Sequence, residues 1–234
     1  MSQEQIPPIP VPTGESLSWS QVWVRALTRP TVENYEEIVA DSNVSASKAY
    51  TWVFLSTLIS FAISILVQLL FIGISSLGSR DTANTSSAFG GYVLFLFCGT
   101  PVAAAVSILG LMITTGITQA IARALGGTGT YTKLAYALAA YLAPLTLVST
   151  VIGLVPIVNL LAYPLGLYGI VLNVIAVKAV NGFGWGKAFA SSVLIFAAIL
   201  VLVACVTIVI LTLLGPAIGN VFSTIIQQIG TPTP

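Results

Sequence analysis

Of the 234 residues, 56% are hydrophobic and only 6% charged. Soluble domains carry roughly 25% charged residues, so the composition excludes an ordinary water-soluble globular protein. A net charge of +1 argues against nucleic acid as a partner, and the absence of histidine removes the commonest general base and metal ligand together.

Taken in chain order, residues 1–15 read as a flexible, proline-rich arm, with neither the basic region nor the apolar run of a secretory signal. Residues 16–45 read as cytosolic or interfacial helices. Trp19, Val22, Trp23, Ala26 and Leu27 recur at helical spacing beside Arg25 and Arg29. That pattern suits either a membrane interface or a helix packed on the protein's own end. Val32, Tyr35, Ile38 and Val39 then predict a short helix whose wet face holds Glu33, Glu36, Glu37 and Asp41. A five-span domain over 46–214 follows, with apolar segments at roughly 49–75, 92–122, 134–155, 157–178 and 187–214; each is long enough for a core about 30 Å thick. Pro101 is expected to separate an interfacial lead-in from the second span, and 215–234 to form a short external tail. The fold class is thus an all-α integral membrane protein of five transmembrane helices, with short amphipathic helices before the first.

Charge sets the expected orientation. Arg25, Arg29, Lys48, Arg123, Lys133, Lys178 and Lys187 all fall on one side of such a bundle, while the other side has only Arg80, next to Asp81. The positive-inside rule then puts the N-terminus in the cytosol and the C-terminus outside.

Within the spans, Ala135, Ala139 and Ala143 recur at every fourth residue, and Ala103, Ser107, Gly110, Gly116 and Ala120 form a similar small-residue series. Such positions let helices approach closely where lipid supplies no hydrophobic drive. Pro144 and Pro164 are expected to kink the third and fourth spans. The fifth span, rich in Val, Ile and Leu, reads as facing lipid. Cys98 and Cys205 lie in apolar runs and read as small core residues, with no disulfide or metal role. The polar span residues are Gln68, Gln119, Asn159 and Asn173, of which Asn173 is the one to examine: interhelical glue on the plain reading, a solute ligand on the sharper one. Catalysis finds no support, because no carboxylate follows Asp81 and the lysines sit at span ends where they snorkel. No cofactor is expected.

The stretch 126-GGTGTYTKLAYALAAYLAPL-145 lacks the Gly-Lys-Ser/Thr order and preceding strand of a phosphate-binding loop. It reads as a hairpin, its glycines giving a sharp turn and Thr130 or Thr132 a cap. Gly126, Gly127, Gly129, Thr130 and Tyr131, followed by Ala143 and Pro144, resemble the glycine turn and Ala-x-Pro span of the Yip (Ypt/Rab-interacting protein) domain family. The stretches 27-LTRPTVENYEEIV-39, 46-ASKAYTWVFLSTL-58 and 164-PLGLYGIVLNVIAVKAVNGFGWGKAFASSVL-194 are similar to that family's opening, first span and last two spans. The resemblance implies a non-enzymatic, five-span membrane protein engaging lipids and other integral membrane proteins or itself. It also implies a role in membrane organisation, as a scaffold or an accessory subunit of a larger complex. The short N-terminal arm departs from the eukaryotic pattern, so no Rab-like GTPase contact is carried over, and a prokaryotic plasma membrane is the expected location. Trp19, Trp23 and Trp185 are candidate docking residues on the cytosolic face. Passage of a lipid or neutral solute through kinked third and fourth spans is the alternative.

Overall fold

The structure, a computed structural model, describes residues 17–76, 89–154 and 158–230. The expected arm at 1–15, the Arg80–Asp81 loop and most of the 153–157 turn lie outside these residues. Among the described residues all regular structure is helical. The helices are α1 (Trp19–Thr28), α2 (Val32–Ala40), α3 (Ala46–Ser76), α4 (Phe89–Ala124), α5 (Tyr131–Gly153), α6 (Ala162–Asn181) and α7 (Trp185–Gly230). Five runs are long and apolar enough to cross a membrane: Ala46–Ile74, Phe89–Ala124, Tyr131–Gly153, Val158–Asn181 and Trp185–Pro216.

Local chemistry accounts for the ends. Ser18 opens α1 with a capping box: its hydroxyl accepts from the Gln21 amide at 3.4 Å, and its own amide donates to Gln21 Oε1 at 2.9 Å. Thr31 caps α2, and Thr130 rather than Thr132 caps α5 by accepting from the Lys133 amide. The lead-in expected before Pro101 is part of one continuous helix, α4, interrupted by a π turn at Phe95–Gly99. Proline has no amide to donate four residues back, and the widened turn lets the Thr100 amide reach Phe95 O instead. A Cβ on Gly99 would lie 2.5 Å from the exposed Phe95 ring, which would have to swing aside to admit it.

The chain divides into two units, Met1–Ser192 and Val193–Pro234. In the first, α5 is the central helix: Leu134 to Tyr141, Ala143 and Pro144 are all buried. Ala135, Ala139 and Ala143, the stripe their spacing predicts, are buried, and Ala137 and Ala140 let neighbours approach other sides as well. Pro164, expected within a span, occupies the first turn of α6, where a missing amide removes no helical hydrogen bond; the 3-10 turn Val158–Leu161 precedes it. The small-residue series of α4 does not pack as expected throughout. Ala104, Leu111, Thr115, Thr118 and Gln119 are buried, whereas a Cβ on Gly110 or Gly116 would meet nothing within 4 Å. At 100° per residue the two glycines, six positions apart, point about 120° from each other, so they form no common packing face.

In the second unit every residue from Leu200 to Pro216 is exposed, in keeping with a lipid-facing helix. The fifth span ends at Pro216, and the helix continues through the expected tail to Gly230. One expectation changes. Cys98 and Cys205 are free and both exposed, so neither is a core residue; on an apolar helix surface a thiol packs against lipid as readily as against protein.

Candidate functional site

The predicted site residues gather mainly at one end of the first unit. There α1 and α2 fold back on each other and dock along α5 and α6. Val22, Ala26, Tyr35 and Ile38 are fully buried in this contact. Each fully buried Val or Ile contributes about 1.5–3 kcal/mol relative to exposure in water. Polar groups lock the hairpin. Asn34 Nδ2 donates to the carbonyls of Arg25 (3.0 Å) and Arg29 (2.9 Å), closing the open end of α1. Tyr35 donates to Ala26 O at 3.1 Å, Tyr168 of α6 to Leu27 O, and the Leu17 amide to Asp41 Oδ2 at 2.9 Å. Burial, with Tyr141 and Tyr168 nearby, holds the Tyr35 phenol far above its usual range, so it remains a neutral donor.

Trp19 and Trp23 both meet Trp52 edge-on, with ring centroids 6.0 and 6.1 Å away, and Trp52 in turn packs on Tyr136 at 4.8 Å. α1 thus packs on the protein's own helices, with Trp19 keeping 46% exposure. Trp52 is the anchor that sequence reasoning missed. It sits in an apolar run, where its rank as a fully buried hub has no local signal.

The glycine stretch and the 178–187 connection form one interlocked pair of turns. Gly126 has φ +91°; its amide bonds Arg123 O at 2.9 Å and the Gly127 amide bonds Ala122 O at 2.8 Å, which is a Schellman ending for α4. Gly127 and Gly129 are needed for close approach. A Cβ on Gly127 would lie 2.7 Å from Asn181 Oδ1, and one on Gly129 would lie 2.6 Å from Val180 O. Gln119 Nε2 completes the junction by donating to Gly129 O at 2.7 Å and Asn181 Oδ1 at 3.1 Å. Gln119 was weighed as a span residue, and its partner Asn181 was missed: they meet across 62 positions of sequence, which no short motif reveals.

Trp185 stands on the same end, 56% exposed, with Lys178 Nζ 4.9 Å from its ring. Glu33, Glu36 and Glu37 line the outer face of α2, all exposed. Among the described residues the ion pair is Arg25–Glu37, 3.6 Å apart and solvent-facing, a geometry that contributes little to stability. Asn173 lies elsewhere, where it joins three helices: its Nδ2 donates to Tyr141 Oη at 3.1 Å and its Oδ1 accepts from Ser192 at 3.0 Å. Pro144 is buried in α5 and takes no part in the platform.

These features can be set beside known proteins. The Yip1 domain family model matches residues 24–206, more than three quarters of the chain. The chain belongs to the Yip1 domain family. No curated protein and no solved structure matches it. With five apolar helices of sufficient length, this Yip1 domain protein is a multi-pass integral membrane protein. The matched region takes in the docked hairpin from Val24 onward and both glycine turns.

Proposed function

We propose that the protein is a non-enzymatic interaction or scaffold protein of its membrane, or an accessory subunit of a larger membrane complex. The observation that carries this reading is the platform: α1 and α2 are held rigidly while Trp19, Val24, Glu33, Glu36, Glu37 and Trp185 are left exposed. A preformed surface with aromatic and charged groups loses little entropy on docking. The concentration of basic residues at this end supports a cytosolic location for it and for the N-terminus. Other integral membrane proteins, a second copy of the chain and lipids are the partners in view; no Rab-like GTPase contact is assigned, and a prokaryotic plasma membrane is the proposed location.

Purification of the tagged chain from its native membrane in mild detergent, with identification of what co-purifies, tests the reading. A stoichiometric protein partner lost from the Glu33→Gln/Glu36→Gln/Glu37→Gln variant supports it. A solitary bundle counts against it and favours the alternative, handling of a lipid or neutral solute. The half-polar groove lined by Ser64, Gln68 and Thr150 is the observation on that side. Asn173, engaged through both ends of its carboxamide, is better explained as glue between helices.

A further inference from the structure

We infer that the groove between the far ends of α3 and α5 binds an uncharged lipid with a free hydroxyl, a lipid of the diacylglycerol class. The groove lies away from the α1–α2 platform, so this site goes beyond the docking function and holds whether or not a protein partner binds there. Both helices run away from the basic end. Trp52 packs on Tyr136, and about 24 Å further along α3 Gln68 lines the groove with Phe71, Thr150 and Gly153. The groove therefore sits toward the far ends of two runs that are each long enough to cross a membrane. Leu66, Leu70 and Val151 stand beside lining residues and are more than half exposed, which gives acyl chains an apolar surface next to the opening. The volume is about 230 Å³, room for roughly seven or eight water-sized groups at about 30 Å³ each. That accommodates a glyceryl unit with its ester carbonyls and leaves the chains outside.

The lining selects the head group. α3 has no charged residue after Lys48 and α5 none after Lys133, so neither a phosphate nor an amine finds a counter-charge. The groove offers hydrogen bonds instead, and they have a definite polarity. The Ser64 hydroxyl donates to Ser60 O at 2.9 Å, and the Thr150 hydroxyl donates to Thr146 O at 2.9 Å. A hydroxyl has one proton, so both side chains are left to accept. Gln68 adds an exposed carboxamide with no hydrogen-bond partner among the described residues, supplying a further acceptor and two donors. A guest that satisfies this set must give an O–H proton and must also carry oxygens that receive the Gln68 amide. A diacylglycerol has both, in its free hydroxyl and its two ester carbonyls. Phosphatidylcholine and triacylglycerol have the carbonyls and lack the hydroxyl.

A second observation points the same way. Ser60 lies one helical turn before Ser64 on the same face of α3, is only 5% exposed, and its hydroxyl has no partner among the described residues. An unmade hydrogen bond on a buried polar group is costly. Unlike Ser64 and Thr150, Ser60 keeps its proton to give. The inner end of the groove thus abuts a donor, while its middle presents the acceptors. That order suits a head group with ester oxygens and a hydroxyl side by side.

Photolabelling of the full-length chain in phosphatidylcholine bilayers tests this. Three probes carry the same diazirine-bearing acyl chain at equal mole fraction: a diacylglycerol, the triacylglycerol made by acylating its hydroxyl, and a phosphatidylcholine. Labelled peptides are read by mass spectrometry. The diacylglycerol should label 64–71 and 147–154 about fivefold more than either control, the effect of one hydrogen bond. Excess unlabelled diacylglycerol should displace it, and Gln68→Leu, a change at an exposed position, should bring its labelling down to that of the controls. The exposed stretch of α7 from Leu200 to Leu211 should take up all three probes alike, before and after that substitution. Equal labelling of the groove by the three probes overturns the inference, as does selectivity that survives Gln68→Leu. Displacement by free glycerol and not by unlabelled diacylglycerol also overturns it, and means that the groove takes a small polyol.

Discussion

Gly129→Ala is the sharpest test of the turn junction. The added Cβ would lie 2.6 Å from Val180 O, 2.7 Å from Val180 Cγ1 and 2.8 Å from Asn181 Oδ1. The two side-chain atoms can rotate away, but the carbonyl is fixed in the last turn of α6, so the two turns must part by several tenths of an ångström. Overpacking of this kind costs about 1–3 kcal/mol. Separation also stretches the 2.7 Å bond from Gln119 Nε2 to Gly129 O, whose loss adds about 0.5–1.5 kcal/mol. The expected destabilisation is about 2–4 kcal/mol, read by equilibrium unfolding in mixed micelles. Gly116→Ala is the control, because nothing lies within 4 Å of its Cβ and alanine gains about 1 kcal/mol in a helix interior. A Gly129→Ala protein within about 0.5 kcal/mol of the parent, or equal damage from Gly116→Ala, would refute the close-approach argument.

Asn34→Ala should cost about 0.5–1.5 kcal/mol for each bond lost to Arg25 O and Arg29 O, both of which keep a backbone partner, and should raise proteolysis of the α1–α2 hairpin before any loss of the bundle; unchanged proteolysis would sink the capping role. Asn173→Leu should cost about 0.6–2 kcal/mol in the same unfolding assay and leave the protein in the membrane, whereas abolition of a measurable solute flux in a folded variant would return Asn173 to the transport reading. For pH, the native Tyr35 keeps its proton while the unfolded phenol loses it near pH 10, so unfolding releases a proton in alkali. Stability should be indifferent to this group below about pH 9 and fall above about pH 10, an alkaline loss that Tyr35→Phe reduces in unfolding curves taken across that range. For orientation, a cysteine at Thr128 in intact cells should resist an impermeant thiol reagent until the membrane is opened; immediate reaction would reverse the assigned sides.

Much of this protein was decided by residues acting alone or with near neighbours. Membrane embedding follows from apolar runs that lipid rewards wherever they occur, and the spans' positions follow with it. The turn at 126–129 was legible because only glycine adopts φ +91° without strain, and Thr130 because a hydroxyl before a helix meets its free amides. Contacts across the chain were not legible. A tryptophan in an apolar helix looks alike whether it faces lipid or, like Trp52, receives two other indoles. Asn34, Gln119 and Asn181 looked like ordinary polar residues until folding brought carbonyls and amides to them. Gly110 and Gly116 belonged to a small-residue series and lacked the neighbour. Only the tertiary structure decided that α1 and α2 dock on α5 and α6, because the apolar faces of Val22, Ala26, Tyr35 and Ile38, and the carbonyls that Asn34 and Tyr35 reach, come together across the fold and leave no mark on any short stretch.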